Sequence, residues 1–172
     1  LASYCQSEPN SLVLQAEAKG KPKLIWPANN ICFNLSHSGG LALLAITENR
    51  RVGVDLEIVN PSTEVADLSR RFFAPAEARQ ILALPPEAQA AAFFACWTRK
   101  EAFLKAIGLG LSAPLDGFEV TLGPDPIRLI SADSIGPGEW CMVDISEPGV
   151  AAAVAVEGHM PALRHFRFED PS

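Results

Sequence analysis

Val52-Gly53-Val54-Asp55-Leu56-Glu57-Ile58 alternates apolar and acidic side chains across seven residues, the period of a β-strand. Val52, Val54, Leu56 and Ile58 then share one face, while Asp55 and Glu57 share the other. Carboxylates two positions apart on a strand are separated by roughly 6.6 to 7 Å along the backbone. Their oxygens can still converge on one cation with octahedral bonds of about 2.1 Å, which suits magnesium holding a diphosphate. The same pattern also describes a solvated edge strand carrying two ordinary surface acids, and D-x-E alone does not choose between the two.

The segment just upstream, Leu41 to Thr47, has strand character, and Glu48-Asn49-Arg50-Arg51 reads as a turn. The pair predicts a β-hairpin of 41–47 with 52–59. Before it, an apolar run from Ile31 enters Ser36-His37-Ser38-Gly39-Gly40, read as a loop whose glycines admit backbone N–H groups close to an anion. His37 either adds a donor there or satisfies the turn itself. Ser11 to Glu17 suits a strand, Gly20-Lys21-Pro22 a turn, and residues 1–6 the end of a helix.

Downstream, Pro61 stops the strand and Ser62 or Thr63 can cap a helix running to Phe73; Pro75 opens another to about Leu84. The longest helix is expected from Pro86 to Ile107, with Gly108 at the left-handed position that ends it. Short strands are expected at 117–122, 127–130, 140–145, 150–156 and 165–168, so the fold class is α+β with antiparallel sheets.

At about 100° per residue, Phe93, Cys96, Trp97, Phe103, Leu104 and Ile107 form one apolar stripe on the long helix. Glu101 and Lys105 lie together along its edge. Lys100 points into its middle, where an ammonium must either snorkel along its stem or meet a buried anion. The Glu101/Lys105 pair is either an exposed i, i+4 pair or part of a cleft where the acid binds metal and lysines bind phosphate.

Composition narrows the function classes. The chain of 172 residues is 48% hydrophobic with a formal charge of −6, which argues against a broad nucleic-acid face while allowing a local phosphate pocket. Its longest clean apolar run, Val150 to Val156, is far short of the ~20 residues of a membrane span. Cys5, Cys32, Cys96 and Cys141 show no zinc or disulfide spacing, and a reducing cytoplasm is the expected setting.

Three segments occur in order: Gly20-Lys21-Pro22 with Phe33-Asn34-Leu35-Ser36-His37-Ser38-Gly39, then Gly53 to Glu57, then Trp97-Thr98-Arg99-Lys100-Glu101-Ala102-Phe103-Leu104-Lys105. Arg71 to Glu77 and Gly108 to Phe118 agree with them. The set resembles the larger, Sfp-like type of 4′-phosphopantetheinyl transferase. The resemblance implies a pseudo-twofold pair of α+β lobes, here 1–55 as the remainder of the first and 56–172 as the second, with coenzyme A in the cleft between them. It implies transfer of 4′-phosphopantetheine from coenzyme A to a serine of an apo acyl or peptidyl carrier protein, releasing 3′,5′-ADP.

By that pattern Asp55, Glu57 and Glu101 hold Mg2+ and Lys105 neutralises the diphosphate; the serine proton then goes either to Glu101, the preferred acceptor, or to a metal-bound water. Ser36 and His37 contact coenzyme A phosphates, Lys21 lies near the nucleotide end, and Lys100 and Glu77 line the same site. Family members of this type have a longer front portion, so the first lobe is expected to be N-terminally truncated, with weakened coenzyme A affinity. A monomer is expected, with Arg70, Arg71, Arg79 and Arg99 as candidate carrier contacts. The rival readings are a coenzyme A- or carrier-binding module without turnover and a Mg-dependent phosphohydrolase.

Overall fold

The computed structural model describes residues 1–110, 113–123, 127–130, 135, 138–159 and 162–168. Short 3-10 turns at Ala2–Cys5 and Pro9–Ser11 lead into β1 (Val13–Ala16) and β2 (Pro22–Trp26), an antiparallel pair. β3 (Ile31–Ser38) and β4 (Leu41–Glu48) form a second antiparallel pair, turned by Gly39 and Gly40 at φ 55° and 81°. β5 (Val52–Ile58) follows, then α1 (Val65–Phe72), α2 (Pro75–Leu82) and α3 (Pro86–Ala106). The chain closes with β6 (Glu119–Val120), β7 (Leu129–Ile130), β8 (Trp140–Asp144) and β9 (Val150–Glu157). The antiparallel α+β class is as expected.

Several local expectations change. The hairpin is β3–β4, not 41–47 with 52–59; β5 instead joins a three-stranded sheet of order β5-β9-β8, pairing Asp55 with Ala153 and Glu57 with Ala151. Ser36, His37 and Ser38 therefore lie on a strand and only the two glycines form the turn. α1 starts at Val65 without a side-chain cap, so neither Ser62 nor Thr63 caps it. No strand forms among residues 165–168. α3 ends at Ala106, with Gly108 at φ 74° beyond it. Leu111 and Ser112 of the glycine-rich stretch lie outside the described residues.

The β5–β9 sheet is covered on both faces. On one, Val52, Val54, Val154 and Val156 pack with Cys32, Leu43 and Ala45 of the β3–β4 pair. On the other, Ala153 and Ala155 admit α3, whose Phe93, Cys96, Phe103 and Leu104 are at most 2% exposed. Small side chains let the helix approach closely, and Gly53 shows the limit: a Cβ there would stand 2.0 Å from the Ala102 carbonyl oxygen and 2.3 Å from the Ala106 nitrogen.

Although β5 is a sheet edge by backbone pairing, it is not a wet one. β3 lies along it and seals it with side chains. Asn34 Oδ1 accepts the Val54 N–H at 2.8 Å, and Ser36 Oγ accepts the Leu56 N–H at 3.3 Å.

Candidate active site

The acids of β5 project from the face that meets α3, so strand alternation and helix packing together decide the site. Asp55 is 3% exposed, which removes the solvated-edge reading for it, while Glu57 is half-buried; Glu101 on α3 is likewise 3% exposed. Lys105, one helical turn beyond Glu101, places Nζ 2.6 Å from Asp55 Oδ1 and donates to Ser36 Oγ at 3.0 Å. The Ser36 hydroxyl donates to the same Asp55 Oδ1 at 2.9 Å. Two residues further along the same pair of strands, Ser38 Oγ donates to Glu57 Oε2 at 2.9 Å.

The remaining carboxylate oxygens are less well served. Asp55 Oδ2 and Glu101 Oε1 are buried with no hydrogen-bond partner. Such atoms are costly unless something else fills the need. Their titration carries the same message. Burial pushes the Glu101 carboxyl up to about 7, and the negative charges of Asp55 and Glu57 add to the rise while Lys105 opposes it. Burial also raises Asp55, against the ammonium of Lys105 and the Ser36 hydroxyl. The three acids share one electrostatic field, although among the described residues no group of three His, Cys, Asp or Glu side chains is arranged to hold a metal ion.

Lys100 is fully buried, and its ammonium meets an anion as one of the two sequence readings required. Nζ lies 2.8 Å from Glu77 Oε2, donates to the carbonyl oxygens of Leu115 and Phe118, and sits 4.3 Å from the Phe118 ring centroid. With three N–H groups and three acceptors, it has no donor left for a phosphate. Glu77 in turn accepts the Ala74 N–H at 3.0 Å and the Val120 N–H at 2.8 Å, tying the start of α2 to β6.

Lys21 is similarly committed, donating to the carbonyl oxygens of Val52, Lys105 and Ala106 at 2.9, 2.7 and 3.1 Å. It ties β5 to the carbonyl end of α3, and burial lowers its proton affinity. His37 is exposed, with Ser36 on the opposite face of β3. Arg99, a candidate carrier contact, is instead buried: it pairs with Asp144 at 2.8 Å and donates to the Thr121 carbonyl at 2.7 Å. Arg70, Arg71 and Arg79 are exposed. Sequence reasoning missed Ser38; the signal was the polar alternation Asn34, Ser36, Ser38, which becomes readable once β3 is known to be a strand.

Fold and site together define a class: an α+β protein in which strand acids and a helix Glu/Lys pair meet at one buried junction. The sequence model of the 4′-phosphopantetheinyl transferase superfamily matches residues 51–155, a span that holds Asp55, Glu57, Glu101 and Lys105. The chain is 38% identical over 172 residues to the 4′-phosphopantetheinyl transferase HetI of a Nostoc species, covering 96% of this chain and 70% of that one. It is 32% identical over 152 residues to the 4′-phosphopantetheinyl transferase Sfp of Bacillus subtilis, covering 87% and 65%. Another B. subtilis 4′-phosphopantetheinyl transferase is 37% identical over 119 residues, 69% of this chain and 51% of that one.

The chain belongs to the 4′-phosphopantetheinyl transferase superfamily, as its motifs led us to expect, and it spans about half to seven tenths of these curated relatives. Among solved structures, a holo-(acyl-carrier-protein) synthase from Bacillus anthracis in complex with CoA (3′,5′-ADP) aligns over 62% of this chain and 93% of its own, at 20% identity and a TM-score of 0.49. Among the described residues no helix is long and apolar enough to cross a membrane.

Proposed function

We propose that this chain carries the reacting site of an enzyme that moves 4′-phosphopantetheine from coenzyme A to a serine of an apo acyl or peptidyl carrier protein, releasing 3′,5′-ADP. The observation that supports it most is the junction of β5 and α3, where two buried carboxylate oxygens without partners, on Asp55 and Glu101, stand beside the Lys105 ammonium. An all-carboxylate donor set of hard oxygens fits Mg2+, and Asp55, Glu57 and Glu101 are the residues that would hold it. Bound there, the ion would supply charge neutralisation and orientation for the diphosphate of coenzyme A.

The chain's own residues do the rest. The carrier serine oxygen bonds to the β-phosphorus, the bond from that phosphorus to the bridging oxygen breaks, and 3′,5′-ADP leaves with the electron pair. Lys105 Nζ, on a side chain 26% exposed, is placed to offset the charge growing on that oxygen. Glu101, with a proton affinity near neutrality, accepts the serine proton. Ser36 orients Asp55 and Lys105 together. His37, on the outward face of β3, is the exposed side chain that would meet a coenzyme A phosphate from that side. Lys21 and Lys100 support the framework through the carbonyl and carboxylate contacts described above.

The reading keeps the chain a monomer in a reducing, cytoplasmic setting, and none of its four cysteines forms a disulfide. The test is incubation with coenzyme A, magnesium and an apo carrier protein. A mass gain of one phosphopantetheine on the carrier is expected. Binding of coenzyme A without that gain would instead make the chain a binding module, and phosphate release without a carrier would make it a hydrolase.

A further inference from the structure

We propose that Ser38 is a positioning residue that fixes the Glu57 carboxylate in the acid cluster and thereby sets the cluster's affinity for a divalent cation. The inference rests on the reading of Asp55, Glu57 and Glu101 as cation ligands. It comes from the way β3 meets β5. Side chains that alternate on β3 touch successive points of β5: Asn34 takes the Val54 N–H, Ser36 holds Asp55 Oδ1, and Ser38 holds Glu57 Oε2. The first two contacts are buried, and the one at Ser36 is over-determined. Ser36 also bonds to the Leu56 N–H and to Lys105, so Asp55 would keep an ammonium partner without it.

Glu57 has no such reserve. It lies at the end of β5 where burial gives way, and no cation pairs with it among the described residues' salt bridges. A glutamate has three rotatable side-chain bonds, and freezing them costs a substantial part of any binding free energy. The Ser38 hydroxyl restrains them before a ligand arrives. Its own place is fixed by Gly39, whose φ of 55° begins the turn and whose Cβ, if present, would fall 2.4 Å from Ile58 Cγ1. The turn that presents Ser38 to Glu57 is thus specified one residue away from it.

Hydrogen bonds to ligating carboxylates commonly change metal affinity by about 10- to 100-fold. The Ser38→Thr and Ser38→Val variants have nearly the same shape and differ by one hydroxyl. Mn2+ binding is read by electron paramagnetic resonance on the intact chain, alongside unfolding midpoints in EDTA. Wild type and Ser38→Thr should bind Mn2+ alike and Ser38→Val about tenfold or more weaker, with all three unfolding at similar midpoints in EDTA. Equal Mn2+ affinity of the Thr and Val variants, with wild type binding, would overturn the positioning role alone. No Mn2+ binding by wild type would overturn the cation-site reading and this inference together. If Val lowers the EDTA midpoint as much as it lowers affinity, the hydroxyl is structural and the inference is overturned.

Discussion

Glu101→Gln should make the metal-free protein more stable at neutral and alkaline pH while abolishing transfer. In the folded chain the Glu101 carboxyl is raised from an ordinary 4.5 to about 7, by burial first and then by Asp55 and Glu57. A raised carboxylate means that the native state binds the proton more tightly than the unfolded chain. Its contribution is therefore fully present below pH 4.5 and is lost as pH rises through about 7. At about 1.4 kcal/mol per pH unit, the loss amounts to about 3 kcal/mol. Glutamine carries no such charge, so the stability gap between variant and wild type should widen in the variant's favour by that amount from pH 4.5 to pH 8. Urea unfolding in EDTA, followed by tryptophan fluorescence at intervals across that range, measures it. Added Mg2+ should then stabilise wild type and leave the variant unchanged. A gap that stays constant with pH would refute the claim that Glu101 is held as a strained, unsatisfied acid.

Other perturbations follow from the packing. Gly53→Ala drives a methyl into the α3 backbone, 2.0 Å from the Ala102 carbonyl, and should cost about 3 kcal/mol or more in chemical denaturation, with loss of transfer. Lys100→Met leaves Glu77 buried without its ammonium and should cost about 3–5 kcal/mol, much of which Glu77→Gln in the same chain should restore in a double-mutant cycle. Lys21→Met removes the donor from two carbonyl oxygens at the end of α3 and one on β5 and should cost about 1–3 kcal/mol; because one of those carbonyls belongs to Lys105, kcat should fall more than the affinity for coenzyme A.

The elements that repeat locally were legible. The alternation expected over 52–59 and the apolar stripe expected over 86–107 gave β5 and α3 nearly to the residue, and the Lys100 ammonium in that stripe required either snorkelling or a buried anion, of which the structure shows the second. What the sequence could not show was pairing over distance. β4 has a turn signal at each end, Gly39-Gly40 and Glu48 to Arg51, and local pattern does not say which one closes a hairpin. The true partner of β5 is β9, about a hundred residues later, whose alanines look featureless until a helix is found to need their small size. Glu77 lies 23 positions before Lys100, beyond any helical repeat. Ser36 to Ser38 read as a loop because small polar residues favour turns; on β3 Ser36 and Ser38 serve an inward polar face while His37 points outward. Asp55 and Glu57 were legible as a pair, whereas the third acid came from the ordered motifs together.

The joint between β3 and β5 has a mechanical consequence. A backbone ladder is a weld, but here the contact is a row of pegs, with Asn34 and Ser36 reaching across to amide groups and Ser38 to a carboxylate. The pegs stand over an apolar seal, because Val52, Val54, Val154 and Val156 are buried beneath the hairpin, so lifting it would expose those valines as well as break the side-chain bonds. Asp55 and Glu57 lie along that seam, so a ligand that draws them together would also draw the two strands together.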